Sequence, residues 1–241
     1  MTIHNTSRKP REHNHEPRPF CTTCLKASRT CLCSFVSPIE TDVQFVFLMH
    51  RKEQRDRLGT GTGRLSHLML KNSRLFVGLE FENNPEIQKL LHDETIFPCV
   101  LYPEKNAMDI SSAEGINSLK TMINGKSLLV FVLDGSWACV RNIIRANPTI
   151  AQLPNISFST GRKSEYGFKK QPHENCLSTL EATHELICLL ENSQLAFARP
   201  PGSQKNLLTL FEKFVAFQSN FARELRITIP YKERVSKHGR Q

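Results

Sequence analysis

Three stretches hold residues whose types and spacing could do chemistry. The first is Asp134-Gly135-Ser136-Trp137, where an acid ends an apolar run and the chain's only tryptophan follows a glycine and a serine. A polar turn of that kind, at the carboxyl end of a buried strand, stands where open α/β sheets bind their ligands. A helix cap followed by an ordinary core tryptophan would give the same four residues. The second is Cys21-Thr22-Thr23-Cys24 with Cys31-Leu32-Cys33, four thiols within thirteen residues. Two thiol pairs joined by a six-residue loop can wrap one tetrahedral zinc, which supplies the folding energy that so short a segment lacks. Four free or redox-active thiols are the alternative. A closed four-thiolate site is given no chemistry beyond structure. The third is the loop from Arg51 to Arg64, which mixes Arg51, Lys52, Arg55, Arg57 and Arg64 with Gly59, Gly61 and Gly63. Backbone N–H groups and guanidinium groups there could cradle an anion, or the loop could simply be flexible and basic. It is not a Walker loop, because the Gly-Lys-Ser/Thr ending is missing.

These stretches need elements to hold them. Leu128 to Leu133 is an unbroken apolar run with β-branched and aromatic members, the pattern of a strand buried on both faces in a parallel sheet. Thr41 to Met49 predicts another core strand ending at His50, and Leu75 to Leu79, Thr95 to Leu101 and Ile156 to Phe158 predict three more. Helices are expected over Leu65–Lys71, Ile116–Ile123, Trp137–Arg145, from Thr179 to about Leu190, and from Leu207 to about Leu225. Ser136 caps the third, which Asn147-Pro148 ends. Ser178 and Glu181 form a capping box for the fourth. The apolar stripe of the last helix, Leu208, Phe211, Phe214, Val215 and Phe217, is core packing. Strands alternating with helices predict parallel crossovers and a Rossmann-like sheet. The polar segment from Ser159 to Asn175 sets Arg162, Lys163, Lys169 and Lys170 among Tyr166, Phe168 and His173, a mixture that suits phosphates and unpaired bases, or a solvated loop.

Composition narrows the classes. A chain of 241 residues with 39% apolar and 23% charged residues suits one α/β domain with short attachments. No apolar run approaches the ~18 residues of a membrane span, and the N-terminus has no apolar core of a signal peptide. A net charge of +9 and a pI near 9.3 point to a polyanionic partner, RNA or DNA first. Eight cysteines without a secretory signal predict reduced thiols and a cytosolic or nuclear setting. Residues 1–19, with Arg8, Lys9, Arg11 and Arg18, predict a disordered basic leader, and the tail from Tyr231 is basic too.

Four motifs occur in the order seen in the DTW-domain family. They are the Cys21, Cys24, Cys31, Cys33 knuckle; His50 with Thr62-Gly63-Arg64-Leu65; Asp134-Gly135-Ser136-Trp137 with Arg141 behind it; and Arg162-Lys163 followed by Leu177-Ser178-Thr179-Leu180-Glu181-Ala182. The chain resembles that family over roughly residues 20 to 190. It differs at Ser136, where the family name has Thr, and at Gly61, where Asn is expected before Thr62. The family is similar to tRNA-uridine aminocarboxypropyltransferases and is related to knotted SPOUT-like RNA enzymes.

The resemblance implies an α/β fold, a Rossmann-like, mostly parallel sheet with a SPOUT-type knot, preceded by a small zinc knuckle. The divisions are a leader over 1–19, the knuckle over 20–34 and a catalytic body over 35–241. It implies transfer of the 3-amino-3-carboxypropyl group of S-adenosylmethionine to N3 of a tRNA uridine, releasing methylthioadenosine. Uridine N3–H is a weak acid, so a carboxylate must take its proton: Asp134 first, Glu181 second. The donor would lie across Met49, His50, Leu133, Asp134, Gly135, Trp137, Ser159 and Thr160, framed by Leu177, Ser178, Thr179 and Leu180. Arg64, Arg141, Arg162 and Lys163 would hold the donor carboxylate or tRNA phosphates, with Lys169 and Lys170 also on the RNA. Zinc is expected as a structural ion and tRNA as the partner, in the cytoplasm, with neither a membrane nor an obligate protein partner. A methyltransferase using the same donor, or a non-catalytic zinc-containing RNA-binding protein, would be the rivals.

Overall fold

The computed structural model describes residues 19–54, 61–166 and 176–224. The expectations for most of the leader, for Arg55 and Arg57, for Phe168, Lys169, Lys170 and His173, and for the C-terminal tail lie outside those residues.

The elements run β1 (Glu40–Thr41), β2 (Gln44–His50), α1 (Arg51–Gln54), α2 (Gly63–Met69), β3 (Ser73–Gly78), α3 (Pro85–Leu91), β4 (Ile96–Leu101), β5 (Met108–Asp109), α4 (Ala113–Ile123), β6 (Ser127–Asp134), α5 (Trp137–Ala146), α6 (Pro148–Ala151), β7 (Asn155–Ser157), α7 (Thr179–Asn192), β8 (Ala198–Arg199) and α8 (Lys205–Glu224). Six strands form one sheet in the order β3-β2-β6-β4-β7-β5, and every recorded pairing in it is parallel. β1 and β8 make a separate antiparallel pair.

The expected central strand is β6, and its apolar run explains its place. Leu128, Val130 and Val132 face one apolar cluster while Leu129 and Phe131 face another on the opposite side. β2 divides its residues the same way, with Phe45 and Phe47 on one face and Val46 and Leu48 on the other. Helices therefore cover both faces, as alternating strands and helices require. The register sets Met49 beside Asp134, so β2 and β6 end together.

The structure adjusts several boundaries. α2 starts at Gly63 and ends at Met69, two residues earlier at each end than the sequence predicts. α3 was not anticipated, although Asn84 caps it by accepting the N–H groups of Glu86 and Ile87 and Pro85 sits in its first turn. Pro98 sits inside β4 without breaking it. Val100 and Tyr102 donate their N–H groups toward the β7 side, to Pro154 and Ile156, but β7 starts pairing only at Val100. By alternation the Pro98 nitrogen points to that same side, where no strand yet faces it.

Candidate functional site

The sheet presents the ends of β2, β6, β4 and β7 along one edge, and the chemistry-bearing turns gather there. Ser136 caps α5 by accepting the Cys139 N–H at 3.4 Å. Asp134, at the last position of β6, is only 3% exposed. Its Oδ1 accepts the Thr179 hydroxyl at 2.6 Å, which ties the strand end to the first residue of α7. On another side it abuts Gly63: a Cβ there would fall 2.3 Å from the Asp134 Cγ, so only glycine lets α2 start against this carboxyl. Burial lowers the pKa of Arg64, the next residue, outweighing the opposing charges of Cys24 and Asp134.

A cavity of about 600 Å³ opens beside this turn, within the size range of small-molecule sites. β4 supplies Leu101, with Tyr102 and Pro103 just after it; β6 and its turn supply Val132, Leu133, Gly135 and Trp137. Val140 and Arg141 come from α5, Ser157, Phe158 and Thr160 from the end of β7, and Cys176, Leu177, Thr179 and Ala182 from the head of α7. Among the described lining residues Arg141 alone carries a full charge, so the walls are apolar with one guanidinium.

The head of α7 is fastened by Glu181. The capping box is present, with the Ser178 hydroxyl accepting the Glu181 N–H at 3.3 Å and Glu181 Oε2 accepting the Ser178 N–H at 2.8 Å. The same carboxylate accepts the Ser164 hydroxyl at 2.7 Å and the Glu165 N–H at 3.2 Å. It thus ties α7 to the loop after β7, whose Tyr166 is buried among Phe211 and Phe214 of α8.

Of the expected donor contacts, Leu133, Gly135, Trp137, Thr160, Leu177 and Thr179 line the cavity. Met49, His50, Asp134, Ser159, Ser178 and Leu180 stand behind or beside it. His50 is buried and its Nδ1 accepts the Lys52 N–H at 3.2 Å, so the proton of the neutral ring sits on Nε2. Burial, with Lys52 and Arg51 nearby, keeps its pKa below the ordinary histidine value. Ser159 turns toward β5, its hydroxyl on Asp109 at 3.3 Å, and Leu180 is core. Arg162 and Lys163 are exposed on the loop after β7. Leu101, Tyr102 and Pro103 went unpredicted as cavity walls. Pro103 marks the strand end, but only the sheet order shows that this end lies beside β6.

The four knuckle sulfurs, of Cys21, Cys24, Cys31 and Cys33, all lie within 4.8 Å of one another. Sγ separations of 3.7 Å for Cys21–Cys33 and 3.8 Å for Cys24–Cys31 match the edge of a tetrahedron with Zn–S bonds of about 2.3 Å. The site therefore fits a metal ion such as zinc. Backbone N–H groups of Cys24 and Thr23 pull the Cys21 thiol down to about 6, while burial raises Cys24 and Cys33. The knuckle is seated on the body: Leu32 joins the main core, Lys26 Nζ lies 4.9 Å from the Phe214 ring centroid, and Lys213 reaches over Phe35.

A mostly parallel sheet with a cavity at its carboxyl edge, together with a four-cysteine knuckle, defines an α/β protein with the layout in which such sheets bind ligands at their strand ends. The chain belongs to the DTW-domain family, whose model matches residues 18–219. It is similar to tRNA-uridine aminocarboxypropyltransferase 2 of Macaca fascicularis, with 23% identity over 228 residues, covering 92% of this chain and 70% of the relative. The Mus musculus protein of the same name is 23% identical over 226 residues, with the same coverage. tRNA-uridine aminocarboxypropyltransferase A of Arabidopsis thaliana is 22% identical over 234 residues, covering 88% of this chain and 85% of the relative. No solved structure matches the chain. Among the described residues no helix is long and apolar enough to cross a membrane.

Proposed function

We propose that the protein transfers the 3-amino-3-carboxypropyl group of S-adenosylmethionine to N3 of a tRNA uridine, in the cytoplasm. The carrying observation is the link between Asp134 and the cavity: Thr179 lines the cavity and donates its hydroxyl hydrogen to Asp134. A proton leaving uridine N3 passes to the Thr179 oxygen as the Thr179 hydrogen moves to Asp134, so a buried carboxylate acts as base without touching the ligand. N3 then bonds to the carbon beside sulfur, that carbon–sulfur bond breaks, and sulfur keeps the electron pair. The sulfonium supplies the leaving group, which departs as neutral methylthioadenosine. The apolar walls exclude water and hold flat rings, with Trp137 as a stacking face. Arg141 takes the donor carboxylate in a bidentate grip.

Of the two carboxylates considered as base, Asp134 is favoured. Glu181 holds three donors that fasten α7 and the loop after β7, so its part is to keep Thr179 and Thr160 in place. The SPOUT-type threading is carried over from the resemblance alone. Zinc in the knuckle is structural, and the divisions 1–19, 20–34 and 35–241 serve as leader, knuckle and catalytic body. Phe20, Leu25 and Phe35 are exposed on or beside the knuckle near Lys26 and Arg29, residue types that stack on unpaired bases and hold phosphate. Arg162 and Lys163, exposed on the loop after β7, are further contacts for tRNA phosphate.

The test is incubation with unmodified tRNA and labelled S-adenosylmethionine, followed by nucleoside mass analysis. The expected products are an aminocarboxypropyl-uridine and methylthioadenosine. S-adenosylhomocysteine with a methylated nucleoside would make the protein a methyltransferase, and bound tRNA with neither product would make it a binding protein.

A further inference from the structure

Glu53 belongs to none of the four motifs, yet it reaches into the turn that builds the cavity. It sits in α1, the single turn between His50 and the glycine-rich loop. Its Oε1 accepts the Ser136 N–H at 3.1 Å, across 83 residues of sequence. A Cβ placed on Gly135 would lie 3.8 Å from the Glu53 Cγ, and one on Gly61 would lie 3.9 Å from its Oε2. One carboxylate thus stands between the Asp134–Trp137 turn and the chain that brings Gly63 against Asp134.

Charge reinforces the contact. α5 has no acidic residue in its first turn, so its positive end lacks a carboxylate from its own sequence. Glu53 supplies one from another element, hydrogen-bonded to the N-cap residue. The rest of the turn is confined as well. A Cβ on Gly135 would also meet the Cys139 Cβ at 3.0 Å and the His50 Cβ at 3.4 Å, so this glycine is packed on three sides. Glu53 does not line the cavity, whereas Gly135 and Trp137 do.

We infer that Glu53 is a positioning residue that sets the orientation of the Trp137 indole and, through it, the affinity for the donor. The second half rests on the function proposed above; the first half does not. Trp137 is the only tryptophan in the chain, so intrinsic fluorescence reports on this turn alone.

The experiment compares unliganded wild type with Glu53→Ala and Glu53→Gln in the full chain. Glu53→Ala should shift the emission maximum and raise acrylamide quenching about twofold. Glu53→Gln, which keeps an acceptor oxygen for Ser136, should restore the wild-type spectrum. If the alanine variant does not fold, Glu53→Asp, one methylene short of Ser136, should show the same shift. Wild-type emission and quenching in Glu53→Ala, or in Glu53→Asp where that stands in, would overturn the positioning role. Titration with S-adenosylmethionine then tests the consequence: Glu53→Ala should raise the KM for the donor about tenfold while kcat changes less. An unchanged KM with a shifted spectrum would overturn the link to donor affinity. Wild type that fails to bind S-adenosylmethionine would instead defeat the donor reading, with the spectra still deciding the role of Glu53.

Discussion

The cysteine knuckle and the Asp134 turn are both compact polar sites, but their partners come from different distances along the chain. Cys21, Cys24, Cys31 and Cys33 find one another inside a single short segment, and a metal would supply the energy that holds them. The Asp134 turn is held by Gly63, Glu53 and Thr179, which belong to three other elements. Damage to the first should stay local, while damage to the second should spread to everything that meets at the sheet edge.

The sharpest break in that contrast is Asp134→Asn, which keeps the shape and removes the base. Transfer should fall at least about a hundredfold, with far-UV circular dichroism and tRNA affinity unchanged. Activity within a few-fold of wild type would remove Asp134 from the mechanism. Gly63→Ala probes the same carboxyl from its other side. The new methyl would fall 2.3 Å from the Asp134 Cγ, so α2 or Asp134 must move. A loss of about 1–3 kcal/mol in chemical denaturation, together with weakened transfer, is expected, as for other overpacked sites.

Cys31→Ser tests the local side. Metal content by atomic emission should drop well below the wild-type value and tRNA affinity should weaken several-fold, while donor affinity holds. If donor affinity falls in parallel, the knuckle and the cavity are one unit and the contrast fails. The smallest effect on transfer belongs to His184, where burial, aided by the charge of Arg162, holds the pKa at about 4 against an ordinary 6.5. The unfolded chain takes up this proton first as pH falls, so the stability that neutral His184 contributes is present above pH 6.5 and is lost between 6.5 and 4. The urea midpoint should therefore decline over that window by up to about 1 M more in wild type than in His184→Gln.

Much of the scaffold was legible in the chain itself. Leu128 to Leu133 announced a strand buried on both sides, and Ser136, Ser178 and Glu181 announced two helix heads that the structure keeps. The same reading missed α3, although Asn84-Pro85 signalled its start, and missed β5, which is too short to show a pattern. For the cavity, motif residues marked the β6 turn and the α7 head, but not Leu101, Tyr102 and Pro103. Nor did they show that Glu181 serves as a fastener for a loop as well as a cap.

The order of residues alone determined the longer elements, the caps of α5 and α7 and the four clustered thiols, because each depends on neighbours within a few positions. Only the tertiary structure decided which strand ends share an edge, that Gly63 must be glycine to admit the Asp134 carboxyl, and that Glu53 faces Ser136. In a parallel sheet every neighbour arrives by a crossover, so adjacency at the site is set by strand order and register, which local patterns do not encode.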